Sequence, residues 1–302
     1  MTAYTQISAN RFKTWLIMLG FAFFITGLVY IFTRAFGFSG PSALSFTGMA
    51  LIVAGIMNFV SYYYSDKMVM TISRAKQIKK SDNPTLFRTV ENLCIAAGLP
   101  TPKIYIIQDS APNAFATGRN PKHASIAFTT GILEKLNKLE LEGVAAHELS
   151  HVGNYDTMLM TIVSILVGTI ALLADWYFRA TWFGMGDRDD RDSGGAIFAV
   201  LAIVMAILAP IIGTLIQLAI SRKRELLADA SGALLTRNPE ELATALLKIS
   251  KDSEPLEVAN RATAHLYIVN PFKGSQLKAG FANLFNTHPP IEERVKALRA
   301  ME

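Results

Sequence analysis

Of the chain's 302 residues, 51% are hydrophobic and only 18% charged, with a mean hydropathy of +0.30; this excludes an ordinary soluble domain and points to a membrane protein. The formal charge of +5 does not indicate a nucleic-acid partner, because lysine and arginine gather beside apolar runs, where they encode membrane topology. Cys94 is the only cysteine, so an internal disulfide is excluded and packing, with any bound metal, must hold the fold.

After Arg11 and Lys13, residues 14–32 carry no charge, enough to cross a bilayer as a helix. The run is long for a signal peptide and no small-residue cleavage site follows, so it reads as a permanent anchor. A glycine-containing turn leads to a second uncharged run, 42–65, ending in Tyr62, Tyr63 and Tyr64, residues suited to the bilayer interface. Lys67, Arg74, Lys76, Lys79 and Lys80 follow.

The next stretch is soluble in character. Asn83-Pro84 predicts a capped helix start, with Gly98 near its stop. Cys94, between Leu93 and Ile95, reads as a buried structural thiol on that helix. Strands are expected at 103–108, 113–117 and 124–129, the last two separated by a turn around 118–121. Asn137 and Glu140 resemble a capping box opening the next helix. That helix carries His147, Glu148, Leu149, Ser150 and His151, reading H-E-L-S-H.

Directly afterwards comes a third apolar run, 157–174, into which the H-E-L-S-H helix is expected to lead. A polar loop over 186–195 sets Arg188 and Arg191 against four aspartates, and a fourth apolar run spans 196–220. Arg222, Lys223 and Arg224 follow at once. Helices are expected near 239–250 and 290–301, with a loop-rich stretch between. Basic residues cluster at the N-terminus and after the second and fourth runs. The positive-inside rule therefore puts both termini and the soluble part in the cytosol. The organisation predicted is a two-span anchor (1–65), a first cytosolic segment (66–156), a membrane hairpin (157–220) and a second cytosolic segment (221–302).

Two histidines four apart lie one turn above each other on a helix, so both imidazoles can reach one metal ion. Zinc suits that pair, and Glu148 sits on the same turn, where it can hold a water without ligating the metal. A catalytic zinc takes a third protein ligand and keeps one position for water. Glu140 lies two turns before His147, about 10 Å along the axis, too far to share the ion. His288 is chemically able but sits in the turn-like T-H-P-P. Glu225, just past the fourth run, has the strongest claim, with Asp229 one turn on to orient a ligand histidine.

The paired motifs H-E-L-S-H-V-G-N-Y-D and R-E-L-L-A-D, then T-H-P-P-I-E-E-R, resemble the HtpX-type membrane zinc metallopeptidases, relatives of the CAAX prenyl proteases. The resemblance runs nearly the whole chain. It implies an α+β architecture, four transmembrane helices plus a cytosolic zincin-like domain built from discontinuous segments. It implies zinc (Zn2+) held by His147, His151 and Glu225, with Glu148 as general base. Asn154 and Asp156 then take structural or supporting roles, Asn113 and Ala114 of N-A-F-A a substrate-binding role, and His288 with Arg294 the stabilisation of the oxyanion. Substrates would be damaged or misfolded membrane proteins, as part of stress-response quality control at the bacterial inner membrane. An extended substrate is expected to add to the sheet edge at 113–117 or 124–129. A narrow CAAX-type or signalling-peptide protease and a non-catalytic scaffold are the alternatives.

Overall fold

The structure is a computed structural model that describes residues 3–35, 40–168, 222–260, 262–272 and 289–301. Two long helices, α1 (Ala3–Ala35) and α2 (Pro41–Ile72), open the chain and pack on each other. The first two predicted spans fall within them. Among the described residues one segment, Leu44–Ile72, is long and apolar enough by itself to cross a membrane. Most of its large apolar side chains, such as Met49, Ile52, Ile56 and Phe59, are exposed, as a lipid-facing helix requires. The fourth run and the acidic loop lie outside the described residues.

Helix α3 (Pro84–Ala97) forms as its sequence predicts. The Asn83 side chain accepts from the Leu86 N–H, Pro84 occupies the first turn, and Gly98 closes the helix in the left-handed conformation at φ 65°. Leu86, Val90, Leu93 and Cys94 share its buried face. Four strands, β1 (Lys76–Gln77) before α3 and β2 (Lys103–Ile107), β3 (Ala114–Gly118) and β4 (Ala124–Thr129) after it, form a sheet in the order β1-β2-β4-β3. The β2–β4 pair is parallel and the β3–β4 pair antiparallel. Strand β4 is therefore interior and cannot receive a substrate along an edge, which corrects one of the two docking strands expected from sequence. Strand β3 is the outer strand on that side.

Helix α4 (Thr130–Lys135) leads into α5 (Lys138–Gly153), which carries H-E-L-S-H. Its capping box is complete: Asn137 Oδ1 accepts from the Glu140 N–H at 2.9 Å, and Glu140 Oε2 accepts from the Asn137 N–H at 2.8 Å. Helix α5 is buried along most of its length, from Glu140 to Val152, between the sheet and its helical neighbours. These are α3, α7 (Arg222–Thr236) and α8 (Pro239–Lys251); the C-terminal α9 (Ile291–Arg299) packs on α7 and α8. Gly232 lets α7 lie against the turn that carries His147: a Cβ there would stand 2.9 Å from the His147 backbone nitrogen.

The third apolar run does not continue α5. The helix ends at Gly153, Asn154 and Tyr155 turn the chain, and a new helix, α6 (Asp156–Gly168), begins. Tyr155 takes φ 59°, a left-handed conformation that sharply redirects the backbone. Residues Thr157 to Val167 of α6 are all buried, several against Ile17, Met18 and Phe21 of α1.

Candidate metal centre and active site

Helix α5 presents His147 and His151 one turn apart, with their Nε2 atoms 3.2 Å from each other. Helix α7 brings Glu225 to the same point, its Oε1 3.4 Å from His151 Nε2 and its Oε2 3.8 Å from His147 Nε2. All three side chains are buried, and one ligand atom from each lies within 4.8 Å of the others. A tetrahedral ion with bonds of about 2.0–2.1 Å separates its ligands by roughly 3.3 Å. The three donors are thus spaced to share one.

The far side of each imidazole faces a carboxylate. His147 Nδ1 lies 2.9 Å from Asp229 Oδ1, and His151 Nδ1 3.1 Å from Asp156 Oδ2. A carboxylate accepts and cannot donate, so each Nδ1 carries a proton and each ring, when neutral, turns its Nε2 lone pair inward. With the Glu225 carboxylate, three electron-pair donors converge in a buried space, and a cation or proton must relieve them. Burial lowers the His147 pKa despite Asp229, favouring the neutral imidazole that metal binding needs. Burial also disfavours charge on His151, but Asp156 and Glu225 outweigh it and raise that group to about 9.

Arg294 of α9 is fully buried and clamps Asp229 with two bonds, Nε to Oδ2 at 2.7 Å and Nη2 to Oδ1 at 2.6 Å, while Nη1 donates to the Ile268 carbonyl at 3.0 Å. Burial works against the Asp229 charge, yet Arg294 holds it down at about 2. Every nitrogen of the guanidinium is therefore engaged with the protein. Arg294, expected from sequence to face the substrate, lies behind His147 with its Nη1 3.8 Å from Glu225 Oε2.

Glu148 projects from the same turn, 2% exposed, and is not among the three converging donors. Burial pushes its carboxyl up to about 7, against the pull of nearby charges and a hydrogen bond from the Ala116 N–H. That bond ties the catalytic turn to the outer edge of β3. Along this edge the Ala114 N–H is accepted by Asn113 Oδ1 and the Ala114 carbonyl accepts from the Ile268 N–H at 3.0 Å. The Gly118 N–H reaches Thr161 Oγ1 on α6 at 3.4 Å. Asn113 is 2% exposed and donates to the Val269 carbonyl. Asn113 and Ala114 are thus committed to holding the 268–269 segment, and the backbone position facing the site is Ala116.

His147, Glu148, His151, Asp156, Glu225 and Asp229 converge, while His288 lies outside the described residues. Glu140 is occupied elsewhere, by its cap and by Lys248 at 2.7 Å. Asn154 caps α5 and touches no ligand. Three participants were not anticipated. Ala116 supports Glu148, Arg224 Nη1 stands 3.6 Å from Asp156 Oδ1, and the Asn10 amide donates to that same oxygen at 2.7 Å. The basic run after the fourth apolar segment pointed to Arg224 only as a topology signal. Nothing in the sequence around Asn10 links it to residue 156.

Two histidines and a glutamate from a second helix, with a further glutamate alongside, define a metallopeptidase-type centre. The chain belongs to peptidase family M48, whose model matches residues 80–302. It is similar to proteins described as protease HtpX homologues. That of Dictyoglomus thermophilum is 44% identical over 300 residues, covering 99% of this chain and 95% of the relative. That of Thermoanaerobacter pseudethanolicus is 41% identical over 305 residues, covering 99% and 98%. A solved structure of S. mikatae Ste24p is similar with a TM-score of 0.49 at 19% identity, over 95% of this chain and 66% of that one. The protein is accordingly a membrane-associated metalloprotease of that family.

Proposed function

We propose that this protein is a zinc-dependent endopeptidase. In this reading it cleaves misfolded or damaged membrane proteins at the cytosolic face of a bacterial inner membrane. The observation that carries the reading is the meeting of His147, His151 and Glu225 at 3.2 to 3.8 Å, with Glu148 beside them. Two imidazole nitrogens and a carboxylate at tetrahedral spacing suit zinc, which would displace the proton that His151 otherwise holds. Zinc held there would polarise the scissile carbonyl and lower the pKa of water to about 7.

The chain's own groups do the rest. Glu148 takes a proton from the attacking water and delivers it to the departing amide nitrogen. A carboxyl held at about 7 suits both transfers at neutral pH. Ala116 aligns Glu148 through its N–H and borders the space where an extended chain would lie. Asp229 and Asp156 keep both imidazoles in the tautomer that turns Nε2 inward, and Arg294 keeps Asp229 charged. The burial of all these groups strengthens each interaction by excluding water.

The reading is tested by metal analysis and peptidase assay of purified protein beside Glu148→Gln. The variant is expected to retain zinc and lose at least about a hundredfold of activity, as loss of a general base implies. Near-normal turnover, or a zinc-free wild type, overturns the proposal. Cleavage maps of several membrane proteins test the breadth of specificity: cuts at one shared motif would favour a narrow signalling-peptide protease.

A further inference from the structure

We propose that Asn10, on the first helix and seventy residues before the family match begins, is a positioning residue of the metal centre. This rests on the reading of His147, His151 and Glu225 as a metal site. Asn10 is 3% exposed. Its amide nitrogen makes two bonds, to Asp156 Oδ1 at 2.7 Å and to the Asn154 carbonyl at 3.0 Å. The other oxygen of Asp156 faces His151 Nδ1 at 3.1 Å. A continuous path therefore runs from α1 through Asp156 to a ligand histidine.

The two bonds straddle the turn that makes this path possible. Asn154 ends α5, Tyr155 holds φ 59°, and Asp156 starts α6. A left-handed tyrosine costs energy and persists only where its surroundings impose it. Asn10 grips the carbonyl before Tyr155 and the carboxylate after it, fixing the turn that folds Asp156 back onto His151. The residue type matters as well. An amide donates two protons without charge, so it orients Asp156 without adding a second cation to the Arg224 guanidinium 3.6 Å from the same oxygen. A lysine there would add one, and a carboxylate would repel Asp156. Asn10 also sits immediately before Arg11 and the uncharged run 14–32. The first helix is thus part of the catalytic centre and not only its tether.

Asn58 supplies the control. It is a buried asparagine on α2 whose amide donates to the Met18 carbonyl of α1 at 2.9 Å. It makes the same kind of bond to the same helix without touching Asp156. Asn10→Leu, Asn10→Asp and Asn58→Leu are made in the full-length protein and purified in detergent. Zinc affinity is measured by competition with a chromophoric chelator, the cobalt-substituted protein is examined by visible absorption, and kcat and KM are separated. Both Asn10 variants are expected to bind zinc about tenfold more weakly, the low end for a residue supporting a metal ligand. Their cobalt bands should shift, and kcat should fall while KM holds. Asn58→Leu should keep the wild-type zinc affinity and spectrum. Should Asn10→Leu fail to fold, the isosteric Asn10→Asp carries the test. Wild-type zinc affinity in the Asn10 variants, or equal weakening in Asn58→Leu, overturns the inference alone. A wild type that binds no zinc overturns the metal reading with it.

Discussion

Asp229 and Asp156 each take one imidazole nitrogen, and that choice decides which atoms of His147 and His151 are left to meet Glu225. The pairing is stable because each carboxylate has partners of its own: Arg294 donates to Asp229, and Asn10 donates to Asp156, which also forms an ion pair with Arg224. A carboxylate buried without such a partner would be expensive. The third donor is the most informative to remove. In Glu225→Gln a neutral amide oxygen replaces an anionic ligand, so zinc should be lost on dialysis against a chelator that leaves the wild type loaded. His288→Ala should keep zinc and turn over slowly. Metal content by plasma emission decides, and the reverse pattern would make His288 the third ligand.

Between elements, the decisive dimension is the gap separating α5 from α7. The two helices carry different donors, and Gly232 sets their distance by packing against the His147 backbone. A methyl group at Gly232 would come within 2.9 Å of the His147 nitrogen and 3.2 Å of its Cα, both backbone atoms that cannot swing aside. Gly232→Ala should therefore push Glu225 from the histidines. Overpacking of this kind costs roughly 1–3 kcal/mol, so a lower midpoint of thermal unfolding is expected together with weaker zinc retention. Unchanged retention would show that α7 can shift without moving Glu225. A second element-level dependence joins β3 to α5 through the Ala116 N–H. Proline lacks that donor, so Ala116→Pro should lower kcat/KM on a polypeptide while zinc content holds. The same change at Ala114 is less telling, since its N–H already serves Asn113. Unaltered kinetics in Ala116→Pro would separate β3 from the reaction.

Across the whole molecule, the protease core is built from segments on either side of α6, and α6 in turn packs on α1. The interfacial tyrosines of α2 reach the same body: Arg119, in the turn after β3, donates to the Tyr63 carbonyl at 2.8 Å and stacks over its ring. This places the strand beside the candidate site against the helix that is long and apolar enough to cross a membrane. The charge pattern then predicts four spans, cytosolic termini and an external loop at 187–192. Maleimide labelling of Ser193→Cys in intact cells checks this, and labelling only after permeabilisation would reverse the topology. Cys94 should stay silent in that experiment, because it is buried and burial pushes its thiol up to about 11, leaving little thiolate to react.

Local signals in the sequence determined a good deal by themselves. The Asn83 cap, Gly98 stop and Asn137–Glu140 capping box are short-range hydrogen-bonding devices, and each formed where the residues predicted. The four-residue spacing of His147 and His151 is a property of any α-helix, so one face of the site was legible before any tertiary contact. What only the tertiary structure decided depends on distant segments meeting. Strand order made β4 interior, the left-handed Tyr155 broke the helix that apolar composition suggested was continuous, and the packing of α9 brought Arg294 onto Asp229. Asn10 is the clearest case, because a contact spanning 146 positions leaves no periodic trace in the chain and arises only when α1 is packed beside the α5–α6 turn.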